Sequence, residues 1–376
     1  MKPSLLTNRI AADASPCLQR SRSSQSLLTS AATSGTWIGR SFGIAALWLC
    51  FASIGLAADT RADFLKLIDR PRVALAAEVK ELPATNGLIQ INFSFASEQG
   101  QRVPGVLLKT EGAPGPRPVV IALHGTGGSK KGMLSLCRKL ATNGFIAVAI
   151  DGRYHGDRIR SGKDTEEYNQ AIARAWREQR EHPFYYDTVW DVLRLVDYLQ
   201  TRADVDPTRI GLMGISKGGI ETYLASAADP RIAATVPLIG VQSFNWGLKH
   251  DQWQGRIKTI QNAFDAVMKE AGETNATPAF VRKFYDRVVP GIDGKFDGPA
   301  MLPLIAPRPL LVINSDSDPN TPLPGVKEAA AAAEQSYQAA TAADRFMLRI
   351  QEKTNHQVRP ESETAAIEWF VKWLKP

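Results

Sequence analysis

Two rhythms of apolar residues alternate along the chain. Short unbroken runs at 119–123, 145–150, 232–238 and 310–313 suit strands buried on both faces. Between them the apolar positions fall three or four apart. Tyr186, Val189, Leu193, Val196 and Leu199 mark one face of a helix that stops at Asp206-Pro207. Residues 131–143 predict a further helix closed by Gly144, residues 346–350 a strand, and 363–374 a terminal helix. Residues 89–95 and 103–108 predict strands of an antiparallel start, joined onward by a turn-rich stretch at 111–118. The Ala-rich run 328–343 has high helix propensity and predicts a surface helix. Repeated strand–helix alternation implies an α/β fold whose mostly parallel central sheet is flanked by helices.

Two stretches depart from that alternation. Residues 58–88 hold a short amphipathic segment, Phe64-Leu-Lys-Leu-Ile68, broken by Pro71, and predict a lead-in packed on the main body. Residues 240–307 are helical in pattern and rich in aromatics, among them Trp246, Trp253, Phe264 and Phe284. An insertion there, just after a sheet strand, predicts a helical cap over the carboxyl edge of the sheet.

Charge changes the picture only at the N-terminus. Of the formal net charge of +7, residues 1–57 supply +4, through Lys2, Arg9, Arg20, Arg22 and Arg40 against Asp13. The rest is nearly balanced, so nucleic-acid binding is not implied. Arg40 precedes an apolar run from Phe42 to Leu56, followed by the small-residue contexts Gly55-Leu56-Ala57 and Leu56-Ala57-Ala58. That is the build of a secretory signal peptide, and its length is short for a membrane span. Residues 1–57 are therefore expected to be a cleaved signal, and the protein to be exported to a periplasm or medium without a stable membrane span. Cys17 and Cys50 would leave with it, and Cys137, at helical apolar spacing, is expected to be a core thiol.

The chemistry centres on Gly214-Ile-Ser-Lys-Gly218, where an apolar run breaks into an amphipathic one. This is the pattern of a nucleophile elbow, a tight strand-to-helix turn that lifts the Ser216 hydroxyl above a sheet. A serine hydroxyl needs a base within hydrogen-bond reach. His356, between the last predicted strand and the terminal helix, falls at the same sheet edge. A carboxylate to orient the imidazole is offered by Asp316 or Asp318, at the end of another strand.

Serine, then aspartate, then histidine is the chain order of the α/β-hydrolase superfamily, and from about Gln90 onward the chain resembles its dienelactone-hydrolase and acetyl-xylan-esterase-like branch. The resemblance favours Asp318 as the acid, since Ser315, Asp318 and Pro322 match the branch's spacing; Asp316 would cap the turn. It likens His124-Gly-Thr126 to an oxyanion loop, so the backbone amides of Thr126 and Lys217 would hold the oxyanion while His124 braces the loop. It also likens Asp151-Gly-Arg-Tyr-His-Gly-Asp157 to a loop lining the site. There His155 is expected to be structural, and Arg153 has two open roles, ion pairing within the loop or contact with an anionic substrate. The Lys217 side chain is expected to face solvent. Trp246 is a candidate for shaping the substrate pocket. Typical dienelactone hydrolases use cysteine, so Ser216 points to ester hydrolysis in general.

The domain reading that follows is a hydrolase domain at 89–376 with its cap at 240–307. The expected function is hydrolysis of a carboxylic ester, small or polysaccharide-linked, through an acyl-enzyme. A prolyl-oligopeptidase-like serine peptidase or a catalytically silent binding module are the alternatives. Gly125–Gly132 fails the Walker spacing, and no cysteine–histidine cluster or His-Glu-x-x-His suits a metal, so no cofactor is required. Oligomeric state is not legible.

Overall fold

Nine strands line up in one sheet in the computed structural model, which describes residues 59–375 apart from 113 and 164. They are β1 (Glu78–Glu81), β2 (Leu88–Glu98), β3 (Gln101–Thr110), β4 (Arg117–Leu123), β5 (Ile146–Ile150), β6 (Val205–Ile215), β7 (Ile232–Leu238), β8 (Leu310–Ser315) and β9 (Phe346–Gln351). The spatial order is β1-β2-β3-β5-β4-β6-β7-β8-β9. Strands β1, β2, β3 and β5 pair antiparallel, and every pairing from β5 through β4 to β9 is parallel. The chain leaves β4 toward β5 on one side and returns to β6 on the other. That reversal opens a crevice at the carboxyl ends of β4 and β6, where ligands bind in sheets of this kind.

Helix α1 (residues 59–68) buries Phe64 and Ile68 against the body, with the Phe64 ring on Tyr186 and Phe296. Phe64 and Ile68 thus dock this helix on the body. The connections supply α2 (Leu134–Thr142), α3 (Glu166–Glu178), α4 (Tyr186–Gln200) and α5 (Lys217–Ala228). Between β7 and β8 come α6 (Phe244–Lys249), α7 (Gln254–Lys258), α8 (Gln261–Ala271), α9 (Pro278–Val288) and α10 (Gly298–Met301). Helices α11 (Leu323–Ala339) and α12 (Pro360–Leu374) complete the chain.

Period-two alternation divides the sheet's side chains between two cores. Val119, Ile121, Val148, Leu212 and Val312 face the side holding α4 and the β7–β8 helices. Val120, Ala147, Met213, Val236 and Ile313 face α2 and α12, among Cys137, Leu140 and Phe370. Both faces are covered, which is why these strands read as continuous apolar runs. Cys137 is fully buried, its thiol pushed up to about 12 by desolvation. Helix α11 is less superficial than its composition predicts, since Ala329, Ala330, Ala333 and Tyr337 form a buried face. No helix among the described residues is long and apolar enough to cross a membrane. The predicted signal at 1–57 lies outside the described residues.

Candidate active site

Strand β6 ends at Ile215 and α5 begins at Lys217, so Ser216 occupies the whole turn, with φ +57° and ψ −112°. A positive φ on a serine is strained, and the surroundings must hold it there. The Ser216 amide donates to Leu238 O at 2.8 Å. Gly214 and Gly218 allow the crossing: a Cβ on Gly214 would lie 2.3 Å from Gly218 O, and one on Gly218 2.6 Å from Leu123 O. The two glycines are there because strand, turn and helix pack backbone to backbone.

The turn brings three distant residues together. His356 Nε2 lies 2.7 Å from Ser216 Oγ, and its Nδ1 2.6 Å from Asp318 Oδ2. The carboxylate can only accept from Nδ1–H, which leaves Nε2 to accept the serine proton. Asp318 also accepts from the Asn320 amide (2.8 Å, Oδ1) and the Thr321 hydroxyl (2.9 Å, Oδ2). Burial alone would raise its carboxyl, but the bonds from His356, Asn320 and Thr321 outweigh that and hold it below the usual carboxylate range. Asp316 has a different task. It is half-buried and accepts the amides of Lys353 (2.8 Å) and Thr354 (3.1 Å), fastening the β8 turn to the loop that carries His356.

The loop after β4 reaches the elbow from the other side. A Cβ on Gly125 would lie 3.3 Å from Ile215 O and 3.5 Å from the Ser216 Cβ, so the backbone just before Thr126 packs against the elbow. His124 is buried; its Nδ1–H donates to Gly125 O (2.8 Å), and its Nε2 accepts from the Gly152 amide (3.0 Å). These partners fix one neutral tautomer, and burial, followed by the Lys217 charge, lowers its pKa to about 4. His124 is a brace, as expected, and it ties the β4 loop to the β5 loop. His155 is equally buried, donating from Nδ1 to Arg153 O at 2.6 Å, and desolvation takes it well below the ordinary histidine range.

One sequence expectation needs correction. The Lys217 side chain does not face solvent: it is 1% exposed and pairs with Glu221 one helical turn on, over the face of Tyr168. Burial raises the Glu221 carboxyl to about 7 against the pull of that ammonium. Of the two roles left open for Arg153, the ion-pairing one is present in the structure. The Arg153 guanidinium is 3% exposed and reaches Asp191 (3.0 Å) and Glu98. A cavity of about 800 Å³ that Arg153 helps to line contains none of Ser216, Asp318 and His356.

Trp246 is half-buried in α6, stacked on His250 at 4.2 Å and leaning toward Gly325 of α11. Trp253 is buried, its indole donating to Asp251 at 2.8 Å. A second cavity of about 480 Å³ runs between Gln252–Gly255 and the 316–319 turn, with Asp318 in its wall. Sequence reasoning missed Arg256, a buried cation beside that turn. Among the described residues no group of three or more His, Cys, Asp or Glu side chains is placed to hold a metal.

A serine on a strained elbow at the switch point of such a sheet defines an α/β-hydrolase, and the comparisons with known proteins agree. The acetyl xylan esterase family AXE1 matches residues 74–243. A Bacillus subtilis protein named as an esterase, YitV, is 30% identical over 184 residues, covering 46% of this chain and 67% of that one. Another from the same organism, named as a hydrolase, YtaP, is 24% identical over 287 residues, 73% of this chain and 84% of that one. In structure, acetyl xylan esterase 1 of Thermoanaerobacterium sp. JW/SL YS485 superposes with a TM-score of 0.65 at 18% identity, over 84% of this chain and 93% of that one. The chain belongs to the α/β-hydrolase superfamily of esterases, and it is an ester-hydrolysing enzyme.

Proposed function

We propose that the protein hydrolyses carboxylic esters through a covalent acyl-serine intermediate. The hydrogen-bonded line from Ser216 through His356 to Asp318 carries this reading. Ser216 Oγ attacks the ester carbonyl as His356 Nε2 takes its proton, and Asp318 holds the imidazole and offsets its charge. The oxyanion forms between the Thr126 and Lys217 amides; each such donor contributes about 3 kcal/mol in the transition state. His356 then returns the proton to the leaving alcohol. Water, activated by the same imidazole, releases the acid and restores the serine.

Residues 240–307 act as a cap on the hydrolase domain, with Trp246 shaping the pocket. The match to acetyl xylan esterases at 74–243 supports an acyl group as small as acetate on a polysaccharide. The charge and apolar pattern of residues 1–57 supports export, which fits a polymeric substrate outside the cell. The test is release of p-nitrophenol from acetate and butyrate esters by the mature chain beside Ser216→Ala. Turnover by the wild type, lost in the variant and greater on acetate, is the expected result. Equal turnover by both proteins would remove Ser216 from the mechanism.

A further inference from the structure

Arg256 of α7 is 3% exposed, and among the described residues no carboxylate comes within ion-pair distance of its guanidinium. A buried cation without an anion carries a heavy desolvation cost, so the bonds that replace water around it must be well made. They converge on one residue. Arg256 Nη2 donates to Asn320 O at 3.1 Å. The Gln242 amide, oriented to satisfy both its ends, donates to the same carbonyl at 2.9 Å and accepts from Arg256 Nε at 3.1 Å. Asn320 in turn gives its own amide to Asp318 Oδ1 at 2.8 Å. The backbones meet as well, since a Cβ on Gly255 would lie 2.1 Å from Pro319 O. Helix α7 is therefore fastened to the turn that aims the Asp318 carboxylate.

We infer that Arg256 is a positioning residue: it fixes the 318–321 turn, and through it the orientation of Asp318 toward His356. This rests on the reading of Ser216, His356 and Asp318 as the reacting group. It also makes α7 a fixed part of the catalytic apparatus, so any opening of the helices after β7 must hinge beyond Lys258. Acid and histidine reside on separate loops, and a turn free to rotate would lose their alignment without losing the fold. Misplacement of this kind costs about 10²-fold in rate.

The experiment measures kcat and KM on p-nitrophenyl acetate for Arg256→Met, Arg256→Lys and Arg256→Ala, beside wild type and Ser216→Ala. Circular dichroism establishes the folded fraction of each. Arg256→Met is expected to lose about 10²-fold in kcat with KM within about threefold. Arg256→Lys, which keeps the charge but not the planar fork, should fall between Met and wild type. Guanidinium ion at tens of millimolar should restore part of the activity of Arg256→Ala and none to Ser216→Ala. Wild-type kcat in folded Arg256→Met would overturn the inference, and so would a rise in KM alone, which would make Arg256 a substrate contact. If Arg256→Met does not fold, the same kcat and KM comparison on Arg256→Lys decides. Failure of the underlying triad reading shows separately, as activity surviving in Ser216→Ala.

Discussion

Lys217 and Glu221, one turn apart on α5, close an ion pair beneath the elbow with neither side chain more than 2% exposed. The same lysine offers its backbone amide to the proposed oxyanion hole, so the pair anchors the residue that presents a donor. Removing one partner leaves the other charge buried. Lys217→Met is therefore predicted to cost about 3–5 kcal/mol of stability. Replacing both partners with apolar residues of similar volume should recover most of that loss. Urea melts of the single and double variants check both statements.

The choice between the two aspartates of the β8 turn is settled by activity. Asp318→Asn should lower kcat by about 10⁴-fold, since the amide no longer holds the required histidine tautomer. Asp316→Asn should stay within about threefold of wild type in kcat, because that carboxylate fastens the Lys353 and Thr354 amides and the Ser317 hydroxyl and does not reach His356. A reversed result would exchange their roles.

The pH profile follows from the depressed Asp318 carboxyl. Asp318, held below the usual carboxylate range, stays ionised as pH falls through that range, so it adds no proton to the acid limb of kcat/KM there. The predicted acid limb has a slope of one. Because Asp318 has a lower pKa folded than unfolded, its stabilising contribution is present above the unfolded value and is lost as pH falls through the folded one. This contribution should thus persist through the ordinary carboxylate range and disappear only below it, as acid unfolding of wild type beside Asp318→Asn would show. An acid limb with a slope of two in the ordinary carboxylate range would mean that Asp318 titrates there, against this account.

Trp246 and Trp253 should separate function from packing. Trp246, half-buried, is predicted to alter the acetate-to-butyrate ratio of kcat/KM by about tenfold when changed to Ala, within the range pocket contacts supply. Trp253→Ala should act on stability, by about 3–5 kcal/mol for a buried indole. An ester panel and thermal melts on both variants distinguish the two effects.

Much of this arrangement is legible in the residues themselves, because β4, β5, β7 and β8 are buried on both faces and announce themselves as apolar runs. The elbow is legible for the same reason: glycines at 214 and 218 answer a backbone crossing that no other residue permits. Helix α3 went unread although Tyr168, Ile172 and Trp176 keep a four-residue spacing, because the stripe is short and charged residues, Glu166, Glu167, Arg177 and Glu178, stand at both its ends. The burial of Lys217 had a signal in Glu221 four residues on, but an i,i+4 pair reads equally as a solvated face. Arg153 left two roles open because its partners, Glu98 and Asp191, lie on other elements. Arg256 had no local signal at all; its acceptor, the Asn320 carbonyl, stands 64 residues away and is brought in only by the packing of α7 on the acid turn.

The most direct test of the acyl-serine account is to trap the nucleophile. Mature protein labelled with a fluorophosphonate should lose esterase activity in proportion to labelling, and peptide mass spectrometry should place a single adduct on Ser216. An adduct on another residue, or full activity in fully labelled protein, would contradict the account.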